Sequence, residues 1–238
     1  MDLSYGAFGA GVERLLSRAR VFMVAAAGIM MAMSGPLLAQ TPDSKDVKPI
    51  KLAVLGDSLT AGFGLPASDA FPAKLQKALR DKGILIDILN AGVSGDTTTA
   101  GRDRLDWSIP PGTEAVIVEL GANDALRGVD PQVARGALDD ILKKLRARNI
   151  AVLLCGMLAP PNYGTDYAAR FNSIYPDLAK SYKVPLYPFF LDGVATIAKL
   201  TQPDGLHPTA AGIDVIVERI LPTVEAFLKD HASQVRQP

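Results

Sequence analysis

Blocks of apolar residues alternate along the chain with longer segments in which apolar residues recur at helical spacing. The apolar blocks are short and rich in β-forming residues, as buried strands are, and the segments between them are long enough for amphipathic helices. This alternation predicts one α/β domain of three layers (α/β/α), in which a five-stranded parallel sheet is covered by helices on both faces. The predicted strands are residues 52–55, 84–89, 115–120, 151–155 and 184–187.

Start signals in the sequence place three of the helices. Ser68-Asp69 predicts the start of the first helix, and Asp130-Pro131 combines an N-cap with a proline at the first helical position. Thr209 opens a last long helix over residues 210–229, with a kink or break expected near Pro222. The side chains expected to face the core are Phe71, Leu75 and Leu79 in the first helix, Val133, Ala137, Ile141 and Leu145 in the second, and Ile213, Ile216, Val217, Ile220, Val224 and Phe227 in the third.

Residues 1–39 have the layout of a secretory signal peptide. Arg14, Arg18 and Arg20 precede an apolar run over residues 21–33, and a candidate processing site ends at Ala39. An uncleaved membrane anchor is the alternative, but the run is shorter than the roughly 20 residues that span a bilayer. We therefore expect a signal peptide over 1–39, a polar tether over 40–49, a folded domain over 50–230 and a C-terminal tail over 231–238. The expected location is periplasmic or secreted, with no stable membrane insertion after cleavage.

The charge balance bears on which partners to expect. The chain has 25 basic and 25 acidic residues, so its net charge gives no indication of nucleic-acid binding or of a polybasic membrane surface. Cys155 is the single cysteine, so no intramolecular disulfide can form. It lies in a predicted strand and is expected to be buried. We expect the chain to act as a monomer.

If the strands are parallel, the loops that follow them open on one edge of the sheet, where open α/β proteins bind ligands. The least ordinary residues fall in those loops: Ser58 after the first strand, residues 90–98 after the second, 121–124 after the third, and 203–208 near the C-terminus. A hydroxyl delivered to this edge is a candidate nucleophile. Alternatively, Asp57 and Ser58 cap or hydrogen-bond the following turn, as such residues often do.

Acyl transfer needs a nucleophile, a base, a group that orients the base, and donors for the oxyanion. The chain has two histidines, and His231 falls in the expected C-terminal tail, which leaves His207 as the candidate base. Asp204, three residues earlier, is close enough to fix the tautomer of its ring. Asp-x-x-His is also compatible with a local turn or half of a metal site. No second histidine or cysteine accompanies it, however, so neither a metal nor a cofactor is expected.

Two further residues fit an oxyanion hole. Gly95 would let a backbone N–H approach a substrate oxygen, and Asn123 has a side-chain amide that can donate. A tight turn at Gly95 and an Asx-turn at Asn123 are the alternatives. For an acyl or aryl group, the loops after the third and fourth strands supply apolar side chains, of which Leu126, Pro160 and Tyr163 are the candidate substrate contacts. The alternative for each is an ordinary anchor that packs on the rim of the sheet.

Four sequence blocks resemble those of the SGNH (GDSL) hydrolases in order and in spacing. They are Gly56-Asp57-Ser58-Leu59, Gly95, Gly121-Ala122-Asn123-Asp124 and Asp204-Gly205-Leu206-His207. The resemblance spans the predicted domain and is greatest to the bacterial periplasmic thioesterase I, lysophospholipase L1 and arylesterase branch. It implies the flavodoxin-like fold of that family.

The resemblance also implies roles for these residues. Ser58 would be the nucleophile, His207 the base and Asp204 its partner. The oxyanion hole would be formed by the backbone amides of Ser58 and Gly95 and by the side chain of Asn123. The neighbouring Asp57 and Asp124 are expected to make structural hydrogen bonds instead.

The activity that the resemblance implies is that of a serine esterase. We expect hydrolysis of aryl esters, acyl thioesters and lysophospholipids, so the partner is a small ester or lipid molecule. A carbohydrate O-deacetylase on the same scaffold is the alternative within the class, because its catalytic residues would be identical. A binding module without activity is the alternative outside it, but no phosphate-binding glycine motif follows the first strand.

Overall fold

Five parallel strands form one sheet in the computed structural model, which describes residues 48–235. The strands are β1 (Ile50–Gly56), β2 (Ile86–Gly92), β3 (Ala115–Glu119), β4 (Ala151–Cys155) and β5 (Leu186–Tyr187). All five predicted strands are present, and their ends differ from the prediction by a few residues. Their order in the sheet is β2-β1-β3-β4-β5. This is the flavodoxin-like order, so the predicted fold class is confirmed.

The winding of the chain changes direction between β1 and β3. β1 leads to β2 on one side and β3 leads to β4 on the other, so the loops after β1 and β3 diverge and leave a crevice between them. In the register of the sheet, Gly56 pairs with Gly92 and with Glu119, and Glu119 pairs with Cys155. Cys155 pairs in turn with Tyr187, so all five strands end at one level. The loops that carry most of the predicted site residues leave the sheet from that line.

Helices cover both faces of the sheet. Those of the described residues are α1 (Ser58–Ala61), α2 (Phe71–Asp81), α3 (Thr98–Asp103), α4 (Leu105–Ser108), α5 (Ala122–Leu126), α6 (Pro131–Ala147), α7 (Thr165–Asn172), α8 (Ile174–Tyr182) and α9 (Ala210–Val235). α2 packs against α9, whereas α6 packs against α3, α7 and α8. Right-handed crossovers place the β1–β2 connection on one face and the connections from β3 to β5 on the other.

The central strands are buried on both faces, as parallel strands between two layers of helices must be. Every residue of β3 is buried. Cys155 at the end of β4 is also buried, as predicted, and burial raises the pKa of its thiol well above the ordinary value. The thiol is therefore neutral and is not a nucleophile.

The inner face of α6 differs from the sequence prediction at one position. Ala137, Ile141 and Leu145 are buried, but Val133 is 52% exposed. A repeat of four residues overshoots the helical turn by about 40° each time, so Val133 lies about 80° from Ile141 around the helix axis. The buried stripe passes through Leu138 instead.

The start of α2 also differs from the prediction. α2 begins at Phe71, and Ser68-Asp69 lies in a separate 3₁₀ turn, Ala67–Asp69. Ala70 is extended, with φ −65° and ψ 148°, and separates the two elements. Pro72 lies in the first turn of α2, where its missing N–H leaves no helical hydrogen bond unmade.

The last helix is longer than predicted. α9 continues through Pro222 without a break and reaches Val235, so the tail expected over 231–238 begins inside the helix. His231 is partly buried rather than solvated. Tertiary packing of one apolar face outweighs the single backbone bond that a proline removes. The residues predicted to face the core are all buried: Ile213, Ile216, Val217, Ile220, Val224 and Phe227.

The predicted signal peptide lies outside the described residues, as does the tether up to residue 47. Across residues 48–235, the structure contains no helix with the length and apolar character that crossing a bilayer requires.

Ile141 and Val133 form a matched pair for testing the packing of α6. Ile141→Ala removes a fully buried side chain, so we expect the free energy of unfolding to fall by about 2–5 kcal/mol. Val133→Ala removes an exposed side chain, and we expect a change within about 0.5 kcal/mol. Urea denaturation followed by circular dichroism measures both. Equal losses for the two variants would contradict the rotation of α6 described above.

Candidate active site

Ser58 lies where β1 turns into the short helix α1. Asp57 caps this helix, because its Oδ1 accepts a hydrogen bond from the Leu59 N–H at 2.9 Å. At Gly56 an added Cβ would lie 2.0 Å from Thr60 Oγ1, so the close return of the chain requires glycine. Asp57 thus takes the capping role, and the hydroxyl of Ser58 is left for another partner.

A second carboxyl group lies beneath this turn. Glu119, at the end of β3, is fully buried, and its Oε2 accepts a hydrogen bond from Thr60 Oγ1 at 2.7 Å. Burial, followed by the charge of Asp57, raises the pKa of Glu119 well above its ordinary value. The Glu119 side chain therefore ties the end of β3 to the turn that carries Ser58.

His207 bridges Ser58 and Asp204. Its Nε2 lies 2.8 Å from Ser58 Oγ, and its Nδ1 lies 2.7 Å from Asp204 Oδ2. Asp204 Oδ1 also accepts the backbone N–H groups of Leu206 and His207, at 2.9 and 3.0 Å. These hydrogen bonds lower the pKa of Asp204 from 3.8 to about 2, and the bond from the His207 N–H has the largest effect. The ionised carboxylate favours a proton on Nδ1, which leaves Nε2 to accept from the Ser58 hydroxyl.

Phe63, in the loop after α1, packs on the ring of His207. The two ring centroids lie 4.5 Å apart and the planes are tilted by 35°. Gln202 Nε2 donates to Phe63 O at 2.7 Å and to Pro208 O at 3.0 Å, which joins this loop to the segment that carries His207. Phe63 therefore covers one face of the imidazole ring and helps to hold it in place.

Asn123 and Gly95 lie side by side at the same edge. Asn123 Nδ2 donates to Asp96 O at 3.0 Å and to Asp57 Oδ2 at 3.2 Å. Arg127 Nη2 donates to Gly95 O at 3.0 Å and to Asn123 Oδ1 at 3.4 Å. These partners orient the amide with its nitrogen toward the turn after β1. Gly95 has a φ of 88°, a conformation that other residues rarely adopt.

Asp57 and Asp124 make structural hydrogen bonds. Asp124 is fully buried and accepts bonds from Thr98 N–H at 2.8 Å and from Thr98 Oγ1 at 2.7 Å. It therefore ties the loop after β3 to the start of α3, whereas Asp57 holds the turn after β1.

A cavity of about 480 Å³ opens beside Ser58. Of the side chains that line it, those of Ser58, Asn123, Thr196 and His207 are polar. The remainder are apolar, so an acyl or aryl group entering the cavity would leave water for hydrocarbon surroundings. The larger apolar residues of the lining are Leu59, Leu126, Met157, Leu158, Pro160, Pro161, Phe189, Leu191 and Leu206.

Of the three predicted substrate contacts, Leu126 and Pro160 line this cavity and Tyr163 does not. Tyr163 Oη donates to Leu126 O at 2.7 Å. Its ring lies against Gly128, where an added Cβ would be 2.7 Å from Tyr163 Cε1. Tyr163 therefore holds the loop after β3 in place. Gly95 is not a lining residue either, and Arg127 Nη2 links it to Asn123, which does line the cavity.

Four residues around the site were not predicted from the sequence: Phe63, Arg104, Glu119 and Arg127. Phe63 stands between two glycines, and an aromatic side chain in such a loop was an available signal. Glu119 ends an apolar strand, where a carboxylate is unusual. Arg104 lies in a charged segment of ordinary composition, and no local pattern marks it. Arg127 lies in Leu126-Arg-Gly128, which resembles the same hydrolase branch but indicates no role for the arginine.

The fold and this edge of the sheet together define a class of protein. The site joins a serine hydroxyl, an imidazole and a carboxylate in series. It lies beside an apolar cavity at the carboxyl edge of an α/β sheet, and this is the arrangement of a serine hydrolase. The chain belongs to the GDSL-like lipase/acylhydrolase family, whose sequence model matches residues 54–215. The resemblance found in the sequence blocks is thereby confirmed.

Similar proteins within the family carry esterase and thioesterase names. The chain is 40% identical over 178 residues to the esterase TesA of Pseudomonas aeruginosa, a match that covers 74% of this chain and 89% of that protein. It is 42% identical over 158 residues to the thioesterase 1/protease 1/lysophospholipase L1 of Escherichia coli, covering 66% of this chain and 74% of that protein. The crystal structure of AlinE4, an SGNH-hydrolase family esterase, superposes with a TM-score of 0.65 at 46% identity, over 76% of this chain and 97% of that one.

Asp57 and Asp204 are expected to titrate on opposite sides of the ordinary aspartate pKa. Burial raises the pKa of Asp57 from 3.8 to about 6, although hydrogen bonds from Leu59 and Asn123 oppose the rise. Because the Asn123 bond stabilises the charged carboxylate, Asn123→Ala should raise the pKa of Asp57 further and leave that of Asp204 low. Carbon-13 NMR titration of the carboxyl groups measures both. An Asp57 that titrates near 3.8 would contradict the dominant effect of burial.

Proposed function

We propose that the protein is a serine esterase that hydrolyses carboxylic esters and thioesters through an acyl-enzyme on Ser58. The observation that carries the proposal is the unbroken series of hydrogen bonds from Ser58 Oγ through His207 to Asp204, at 2.8 and 2.7 Å, beside the apolar cavity. The esterase and thioesterase names of the relatives support the same reaction.

Acylation begins with Ser58 as nucleophile and His207 as general base. Ser58 Oγ attacks the carbonyl carbon while its proton passes to His207 Nε2. The imidazolium is stabilised by the Asp204 carboxylate, which stays ionised because its pKa is about 2. When the tetrahedral intermediate collapses, the C–O or C–S bond breaks and the leaving alcohol or thiol takes the proton from Nε2.

Deacylation reverses these roles with water as the nucleophile. Water gives a proton to His207 Nε2 and attacks the acyl carbon. The second tetrahedral intermediate then releases the carboxylic acid, and Ser58 Oγ recovers the proton from Nε2.

The oxyanion of each intermediate is assigned to three donors, the N–H groups of Ser58 and Gly95 and the Nδ2–H of Asn123. In the resting structure both hydrogens of that amide already have acceptors, Asp96 O at 3.0 Å and Asp57 Oδ2 at 3.2 Å. The bond to Asp57 is the longer of the two. We propose that its hydrogen is the one that Asn123 donates to the oxyanion. Catalytic hydrogen bonds are often long before substrate binds and shorten in the reacting complex.

The cavity suits an apolar acyl or aryl group better than a sugar. Sugar hydroxyl groups need hydrogen-bond partners, and among the described lining residues Thr196 has the only polar side chain outside the proposed catalytic set. A carbohydrate O-deacetylase is therefore not favoured. Aryl esters, acyl thioesters and lysophospholipids remain the proposed substrates.

A serine-directed probe tests the proposed nucleophile. A fluorophosphonate should label the wild type and fail to label Ser58→Ala, because the probe forms its covalent bond with the activated hydroxyl. We expect hydrolysis of a p-nitrophenyl acyl ester by Ser58→Ala to fall by at least about 10⁴-fold. Gel fluorescence and initial rates measure the two effects.

An exposed serine supplies the control for the probe. Ser68→Ala, in the 3₁₀ turn before α2, should keep both labelling and activity. Hydrolysis that survives in Ser58→Ala would exclude the acyl-enzyme. Faster release of acetate from acetylated sugars than of acyl groups from aryl esters would favour the deacetylase.

We also infer that the chain is exported, on the basis of the arginine-rich start and apolar run of the predicted signal peptide. N-terminal sequencing of protein exported by a bacterial host should begin at roughly residue 40. Ala39→Arg should block processing, because the site needs a small residue. Uncleaved wild-type protein in the membrane fraction would contradict the inference.

A further inference from the structure

Arg104 is a buried cation that the mechanism above does not use. It lies between α3 and α4 and is 6% exposed. Its guanidinium donates in three directions, from Nε to Asp96 Oδ2 at 2.5 Å, from Nη1 to Ser108 Oγ at 2.9 Å and from Nη2 to Gly56 O at 2.8 Å. We propose, resting on the function assigned above, that Arg104 is a positioning residue that holds the oxyanion donors in place relative to Ser58.

Gly95 lies in a tight turn whose two ends are both tied to Gly56. The turn runs from Val93 to Asp96 and is closed by a bond from the Asp96 N–H to Val93 O at 3.2 Å. At one end, the Val93 N–H donates to Gly56 O at 3.0 Å. At the other end, Arg104 binds the Asp96 carboxylate and donates to the same Gly56 O. These contacts form a closed ring that fixes the turn to the end of β1.

Side-chain packing does not hold Gly95 in this turn. The residue is exposed, and the one atom within 4 Å of an added Cβ would be Arg127 Nη2, at 3.8 Å. Apart from the bond from Arg127 Nη2 to Gly95 O at 3.0 Å, the turn is held by the bonds at its ends. Among these bonds, Arg104 and Asp96 form the ion pair, and their side chains are only 7% and 13% exposed. Charge-assisted bonds of this kind are stronger than neutral ones.

The same anchor extends to Asn123. Asp96 O accepts one hydrogen of the Asn123 amide at 3.0 Å, so a displacement of Asp96 moves the acceptor that orients this donor. The Arg104 guanidinium thus fixes the positions of both Gly95 and Asn123 relative to the end of β1, which precedes Ser58. A misplacement of about 1 Å in such a constellation can reduce the rate by about 10²-fold.

Arginine is the side chain that this position requires. Its planar guanidinium presents donors in a fixed fork, whereas the lysine ammonium is a point charge on a flexible stem. The acceptors of Arg104 lie on three segments, the end of β1, the loop after β2 and α4. Arg104→Lys keeps a positive charge near Asp96 but loses the planar set of donors. It therefore distinguishes the effect of donor geometry from the effect of charge.

The experiment compares Arg104→Lys with wild type in steady-state hydrolysis of an aryl acyl ester and in inhibition by a trifluoromethyl ketone with the same acyl chain. The ketone forms a tetrahedral adduct whose oxyanion occupies the oxyanion hole. We expect kcat to fall by about 10- to 100-fold with little change in KM. The Ki of the ketone should rise by the same factor by which kcat/KM falls. Asn123→Ala, which removes a proposed donor outright, should lose about 10²–10³-fold and sets the scale.

Arg148→Lys is the matched control. Arg148 also donates from Nη2 to a backbone carbonyl, Ile109 O at 2.6 Å, but this contact joins the end of α6 to the segment after α4. Kinetics and inhibition should be unchanged in this variant. Thermal melting of each variant separates a loss of stability from a loss of rate.

Asp96→Asn supplies an independent route to the same result. It removes the charged partner of Arg104 but keeps the backbone carbonyl that accepts from Asn123, and the same fall in kcat and rise in Ki are expected. The proposal is overturned if Arg104→Lys or Asp96→Asn melts at a lower temperature with kcat and Ki unchanged, or if only KM rises. The proposed function fails on a different observation, hydrolysis or ketone inhibition that is retained by Ser58→Ala.

Discussion

The common level at which β1, β2 and β3 end is the constraint on which the site depends. Gly56 pairs in register with both Gly92 and Glu119, so the loops after the three strands leave the sheet at one height. A slip of one residue would turn every side chain of a strand to the opposite face and expose its buried set. Burial of the central strands therefore fixes the nucleophile turn relative to Asn123. The position of His207 does not depend on this register, because its loop is held by its own hydrogen bonds.

The polar groups beneath these loops are costly to bury. Arg104, Asp57 and Glu119 are each at most 6% exposed, and Glu119 Oε1 has no hydrogen-bond partner in the described structure. Buried charged or half-satisfied groups destabilise a fold relative to apolar residues of the same volume. What they contribute here is a fixed geometry between segments that no shared helix or strand connects. The raised pKa values of Asp57 and Glu119 are the measurable sign of this cost.

Sequence reasoning succeeded where the physical cause is local. Buried parallel strands are continuous apolar runs, so all five were predictable, and Ser58, Asn123 and His207 are chemically unusual residues in short loops near strand ends. It failed where the cause is distant. Arg104 acts on Gly56, 48 residues away, and a charged residue in a helical segment is ordinarily solvated. The prediction that Val133 faces the core was wrong because positions four residues apart rotate steadily around a helix.

Asn123 shows how the buried carboxyl of Asp57 is coupled to the proposed chemistry. A donor already bound in the resting site keeps its orientation without further ordering, but it must leave an acceptor before it can serve the oxyanion. In the proposed reaction Asp57 would then retain the Leu59 N–H and lose the Asn123 bond. Because burial already disfavours the charged carboxylate, that loss favours uptake of a proton by Asp57. A neutral Asp57 would no longer compete with the oxyanion for the amide, nor repel it.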